Sequence, residues 1–308
     1  MKLIRNTFAI ASIAALSLGL GACNRGESGA ESVTLALSTQ TNPFFVELRD
    51  GAQEKAKELG ITLDIKDASD DAATQTDQLK NAETLGVGAV IVNPVDSDAV
   101  GAAVQSLNAA NIPVIAVDRS SSAGKVASFI ASDNIAGGKQ AADALAAAIG
   151  EQGEILVLQG IAGSSASRDR GAGFSEGIKA YPNITVVAKQ TANFDRTEGL
   201  NVTTNLLQAH PNVKAIFAEN DEMALGAIEA LGAKAGKEVK VFGFDGTADG
   251  IAAVKKGTLT ASIAQQPDEL GARAVEQAKA VLEGKQAETE VSVPVVTVTS
   301  DNLAEFEK

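Results

Sequence analysis

The sequence predicts an α/β protein of two similar doubly wound parallel-sheet lobes. Strand-like apolar runs alternate with Ala-rich helical segments along its 308 residues. The order of motifs in the first half recurs in the second. The length exceeds the usual size of one domain and fits two.

The expected strands are 33–37, 62–66, 88–92, 113–117, 127–130, 154–158, 184–188, 214–218, 239–243 and 259–264. Segments such as 44–59 and 72–86 carry apolar residues at three- and four-residue steps, the period of an amphipathic helix. βα alternation of this kind gives parallel sheets with helices on both faces. Several strands have few alternating polar residues, as doubly covered strands should.

Three correspondences in the same order argue for duplication. Leu48-Arg49-Asp50-Gly51-Ala52 resembles Arg168-Asp169-Arg170-Gly171-Ala172. Ala89 to Asn93 resembles Ala215 to Asn220, and Ile112 to Asp118 resembles Val239 to Asp245. Two lobes built alike can face each other across a cleft, with their strand ends aimed at one ligand. Hinge closure is a known use of that arrangement.

Residues 1–22 read as a signal segment. Lys2 and Arg5 precede an apolar run from Phe8 to Leu20 that is too short to span a membrane. Leu20-Gly21-Ala22-Cys23 resembles a bacterial lipobox, which makes Cys23 the expected lipidation site and residues 23–31 a flexible tether. Cys23 is the only cysteine, so no intrachain disulfide is possible. Removing Lys2 and Arg5 with the leader takes the net charge from −13 to −15. No basic run exists to track phosphates, which argues against a nucleic-acid partner.

The candidate binding residues lie where strands end. Asn42, Phe44 and Phe45 follow the first strand in a chain with only ten Phe, one Tyr and no Trp. In open α/β sheets, ligands bind beyond the carboxyl ends of the strands. Asp118 and Arg119, Asn220, Asp245 and Gln265 follow later strands. Arg170 falls in a Gly- and Ser-rich loop from Gly160 to Gly173, and Phe194 in the loop Asn193 to Arg196. Two carboxylates and two guanidinium groups balance, which suits a neutral ligand. Carboxylates accept from hydroxyls, guanidinium groups donate in a fixed fork, and Asn and Gln do both. The three Phe rings would cover the apolar faces of a sugar ring. Each residue also has a plainer role: the Phe pair as a core cap, strand-end Asp as a helix N-cap, the Arg residues as surface ion pairs.

Taken together, these motifs resemble the bacterial D-ribose-binding proteins of ABC importers. The resemblance rests on Asn42-Pro43-Phe44-Phe45, Asn93-Pro94, Asp96 to Gly101, Asp118-Arg119, Ile130 to Asn134, Leu158 to Gly163, Phe194-Asp195-Arg196, Asn220 to Gly226 and Gly243 to Thr247. It runs from about Val33 to Gly284 and weakens after it. It implies sugar contacts at Asn42, Phe44, Phe45, Asp118, Arg119, Arg170, Phe194, Asn220, Asp245 and Gln265. It also implies a type I periplasmic-binding-protein fold with a three-strand hinge, crossing near Ser132-Asp133, Gln265-Gln266 and Pro294. One lobe is then 32–132 plus 266–294, and the other 133–265 plus 295–308. The implied partners are D-ribose and the membrane subunits of an ABC permease. A chemoreceptor would use the same closed form. The protein is expected to be a monomer, without cofactor or metal, exported and lipid-anchored in the cell envelope. Allose, xylose, galactose or a furanosyl signalling molecule are the alternative ligands. The lipobox departs from the soluble periplasmic members.

Little in the sequence favours an enzyme. The only histidine, His210, stands before Pro211 at an expected helix end. Gly163-Ser164-Ser165 lacks the Gly-x-Ser-x-Gly elbow of a serine hydrolase. No Walker A motif or metal-ligand cluster appears. Asp118 and Asp245 could serve as a glycosidase pair, but Arg119 and Arg170 should hold both ionised and leave no acid. A sugar-responsive transcription regulator would need a DNA-binding module where this chain has a signal and a tether.

Overall fold

The computed structural model describes residues 32–306. The expected signal segment, Cys23 and tether lie outside the described residues. Strands β1 (Ser32–Leu37), β2 (Thr62–Asp67), β3 (Ala89–Val92), β4 (Val114–Val117) and β5 (Ser128–Ser132) form one sheet. Strands β6 (Gln152–Gln159), β7 (Asn183–Thr191), β8 (Ala215–Ala218), β9 (Lys240–Asp245) and β10 (Ala261–Ala264) form the second. The orders are β5-β4-β3-β1-β2 and β10-β9-β8-β6-β7, so the second sheet repeats the first strand for strand. All ten correspond to expected strands. The matched sequence motifs fall on equivalent elements: the helices after β1 and β6, then β3 with β8, and β4 with β9.

Two further strands, β11 (Glu290–Val293) and β12 (Val296–Val298), were not among those expected. β11 pairs parallel with β5, whereas β12 pairs antiparallel with β10. The all-parallel expectation therefore fails at this one edge. Only Pro294 and Val295 separate the two strands, which leaves no room for a crossover helix. The same chain direction is then parallel to one sheet and antiparallel to the other.

Helices α1 (Pro43–Leu59), α2 (Ala72–Leu85) and α3 (Gly101–Ala109) serve the first sheet. Helices α4 (Asn134–Ile149), α5 (Ser165–Gly177), α6 (Arg196–Ala209), α7 (Asp221–Leu231) and α8 (Ala248–Lys256) serve the second. Helix α9 (Pro267–Leu282) follows β10 but packs back on α1, β3, β4 and β5. Thus the chain passes between sheets after β5, after β10 and between β11 and β12.

Local chemistry sets the helix ends. Asn42, Asp71, Asp133, Asp195, Asn220 and Thr247 each accept a backbone N–H as the N-cap of α1, α2, α4, α6, α7 and α8. His210 closes α6, its N–H donating to the Leu206 carbonyl at 2.8 Å. The strands are clad on both faces: every residue of β3, β4, β8 and β10 is buried. Helices α4 and α5 pack backbone to backbone, since a Cβ on Gly138 would strike Arg170 and one on Gly173 would strike Ile135. That approach fixes how deep Arg170 sits.

Candidate ligand-binding cleft

The carboxyl ends of both sheets meet at a small cleft. From the first lobe it is lined by Asn42, Phe44, Phe45, Asp118 and Arg119, and from the second by Ala166, Arg170, Phe194, Asn220 and Asp245. Nine of the ten residues singled out in the sequence thus converge, and Ala166 joins them. The tenth, Gln265, lies behind Asp245, whose Oδ1 accepts from its Nε2 at 2.7 Å.

Phe44 and Phe45 stand in the first turn of α1 with their rings edge to face, 5.1 Å apart at 86°. Both also belong to the buried core under the first sheet, so core cap and cleft wall are one role. The Arg119 guanidinium lies between lobes, 5.2 Å from the Phe45 ring centre and 5.5 Å from that of Phe194. Such stacking suits a planar cation. Its Nη1 donates to the Pro94 carbonyl at 3.0 Å, and its buried Nε forms an ion pair with Asp118 Oδ2 at 3.5 Å.

Arg170 is on helix α5, not in a loop as the Gly and Ser content predicted. The helix starts at Ser165, and its small residues serve close packing rather than flexibility. The Arg170 Nε donates to Asn134 Oδ1 at 2.8 Å and Nη1 to the Glu219 carbonyl at 2.7 Å. The guanidinium lies 3.9 Å from the Phe244 ring centre and reaches Asp245 Oδ1 at 3.5 Å.

Neither aspartate is a helix cap. Asp118 (φ +64°), Phe194 (φ +61°) and Asp245 (φ +118°) all hold left-handed backbone that ordinary residues avoid. Strain of this kind gathers at functional sites, where the surroundings over-determine it. Asn93 at the end of β3 holds Asp118: its Nδ2 donates to Asp118 Oδ2 and to the Val117 carbonyl, each at 3.2 Å. The other Asp118 oxygen, Oδ1, is buried without a partner. Asp221 pins the turn beyond Asp245: Ser262 Oγ donates to it at 2.7 Å, the Thr247 N–H at 2.9 Å and Thr247 Oγ1 at 3.1 Å. Asn42 and Asn220 use Oδ1 for their caps, which leaves each Nδ2 as the donor. That of Asn220 donates to the Phe194 carbonyl at 3.1 Å.

The electrostatics correct one expectation. Burial raises the proton affinity of Asp118, and Arg119 and Arg170 only partly oppose it. Asp245 is pushed well up by burial, again against Arg170. Desolvation, not the arginines, dominates in the closed cleft. Hydroxyl donors to these oxygens would restore the charged forms.

Sequence reasoning missed the supporting residues Asn93, Asn134, Glu219 and Asp221. Each sits within three residues of a strand end, a signal that the cleft residues themselves share. Lobe–lobe contacts also flank the cleft. The Ser97 N–H donates to the Gly163 carbonyl at 3.0 Å, and the Ser120 N–H to Ser165 Oγ at 2.9 Å. Among the described residues no cluster of His, Cys, Asp and Glu could hold a metal. No helix among them is long and apolar enough to cross a membrane.

Residues 33–286 match the family model described as periplasmic binding protein domain. The chain is 48% identical over 268 residues to the ribose import binding protein RbsB of Salmonella typhimurium, covering 87% of this chain and 90% of that one. It is 44% identical over 272 residues to RbsB of Bacillus subtilis, covering 88% of each. A Caulobacter myo-inositol binding protein bound to myo-inositol superposes with a TM-score of 0.86 at 32% identity, over 90% of this chain and 96% of that one. An Actinobacillus succinogenes ABC transporter periplasmic solute binding protein with bound D-allose gives 0.83 at 34%, over 89% and 99%. The chain belongs to the periplasmic binding protein domain family.

Proposed function

We propose that this member of the periplasmic binding protein family is the solute receptor of an ABC sugar importer, and that it holds D-ribose between its lobes. The observation that carries the reading is the cleft lining. Three Phe rings, two Asp, two Arg and two Asn converge from both lobes on one small space. Acceptors, donors and apolar walls together match a neutral ring rich in hydroxyls. The identity to ribose import binding proteins supports ribose over other sugars.

Asp118 and Asp245 accept from ligand hydroxyls, and Arg119 and Arg170 donate. Asn42 and Asn220 add amide donors, and Phe44, Phe45 and Phe194 sandwich the ring. Gln265 braces Asp245 from behind. A ligand moves the lobes only through its differential affinity for the closed form, and contacts from both lobes provide it. The lobes are 32–132 plus 266–294 and 133–265 plus 295–308, with the three crossings as hinge. The closed form is what a permease, or a chemoreceptor, reads. Cys23 carries the lipid that tethers the monomer in the envelope. The protein releases sugar unchanged: no hydrolysis of a glycoside panel is expected.

Titration calorimetry against D-ribose, D-allose, D-xylose, D-galactose and myo-inositol tests the assignment. Tightest binding to D-ribose supports it. A silent D-ribose titration beside tight binding of another sugar overturns it.

A further inference from the structure

Behind the cleft wall, three elements of the second lobe are tied by one buried side chain that touches no ligand position. Glu219, at the exit of β8, is fully buried. Its Oε2 accepts from the Gly160 N–H at 2.8 Å and, by a short bond, from the Ser167 hydroxyl. Its own carbonyl accepts from Arg170 Nη1. Gly160 is the floor on which the Phe194 ring lies, because a Cβ there would run into that ring. Ser167 stands one helical turn before Arg170 on α5. One carboxyl thus joins the β6 exit under Phe194, the helix carrying Arg170 and the carbonyl that orients its guanidinium.

We propose that Glu219 is a positioning residue for the cleft, and that the charge on its carboxyl sets how firmly Phe194 and Arg170 are held for the sugar. The proposal deepens the sugar-receptor reading and rests on it for the ligand. Ionised, Oε2 makes two charge-assisted bonds, which are roughly twice as strong as neutral ones. The proton goes to Oε1, which has no hydrogen-bond partner and points at the bare backbone of Gly171. Protonation weakens both anchors without breaking their geometry. The wall then samples arrangements that do not fit the ligand, and affinity falls by the fraction lost. The charged groups facing Glu219 are Arg170 on α5 and Lys189 on β7, and both favour its ionised form. Burial outweighs them and lifts its pKa to about 7, so the two states exchange near neutrality.

The test is one pH series from 5.5 to 8.5 on the full chain, wild type beside Glu219→Gln. Gln keeps the shape and an acceptor oxygen but does not titrate. Calorimetry with D-ribose should show affinity falling about fivefold toward low pH in the wild type, the ratio expected when charge-assisted bonds become neutral. Glu219→Gln should lose that fivefold step and keep only the dependence that Asp118 and Asp245 contribute. In the sugar-free protein, the NMR signals of the Gly160 amide and the Arg170 Nε–H should shift together near pH 7, and not in the variant. A wild-type pH dependence that survives unchanged in Glu219→Gln overturns the proposal, as do NMR signals that do not titrate. Loss of D-ribose binding at every pH, with the NMR step intact, overturns the sugar assignment and leaves the link from Glu219 to Gly160 and Arg170 supported.

Discussion

The two lobes share one strand order and present an aspartate to the cleft from equivalent strands, yet they hold it by different means. In the first lobe Asp118 is steadied by a neutral amide, Asn93, whose Oδ1 also accepts the Ser38 N–H at 3.1 Å. Its arginine, Arg119, is the next residue; it pairs with Asp118 at 3.5 Å, donates to the Pro94 carbonyl and stacks between Phe45 and Phe194. In the second lobe the turn at Asp245 hangs on a buried carboxylate, Asp221, and the Arg170 wall on another, Glu219. That arginine comes from a helix and is fixed by directed hydrogen bonds. The same topology therefore yields one wall whose ion pair is steadied by an amide and ring stacking, and another braced from behind by two further buried carboxylates. In the second, Glu219 is the group lifted to a pKa of about 7, so that wall should respond to pH near neutrality.

The largest break in this comparison is expected at Arg170. Arg170→Ala strands the buried groups Asn134 and Asp245 and removes a ligand donor. Losing one partner of a buried, hydrogen-bonded charge costs about 2–5 kcal/mol. Sugar affinity should therefore drop more than about thirtyfold by calorimetry, with Asp245→Ala close behind. Arg119→Ala also strands a buried ion-pair partner, Asp118, and should cost somewhat less because only that one charged group is left unpaired; a larger loss than that of Arg170→Ala would erase the contrast.

Stability offers the next test. Glu219 binds its proton more tightly folded, at about 7, than at its ordinary 4.5. Folding therefore takes up a proton. The benefit is complete below about pH 4.5 and is lost as pH rises through 7. Glu219→Gln should then gain stability over the wild type between pH 5 and 8, by at most about 3 kcal/mol, read from urea midpoints. Asp221, raised by burial to about 6, should give Asp221→Asn a trend of the same sign. Asn93→Ala, in the first lobe, should destabilise by about 1–3 kcal/mol through unsatisfied groups.

The smallest effect is expected at Asn42. Asn42→Ala removes the α1 cap and should cost about 1 kcal/mol of stability, with a modest loss of affinity, measured by thermal unfolding and calorimetry.

Much of this arrangement was legible in the sequence. Apolar runs and amphipathic spacing located ten strands, because doubly covered strands and their helices leave strong periodic signals. The cleft residues were legible because polar and aromatic residues at strand exits break that apolar pattern. β11 and β12 were missed because Glu290–Val293 and Val296–Val298 are short edge strands with half-exposed residues. Arg170 was given to a loop because Gly and Ser, usual in loops, here let α4 and α5 touch. The raised proton affinity of Asp118 and Asp245 was not legible. It comes from burial depth, which a neighbouring arginine in sequence does not reveal.

The central claim is that one sugar is held by side chains from both lobes at once. Calorimetry of D-ribose with the wild type, Asp118→Ala and Asp245→Ala tests it most directly. The account predicts tight binding by the wild type and severe loss from either single change, one in each lobe. Undiminished D-ribose binding by either variant would contradict it.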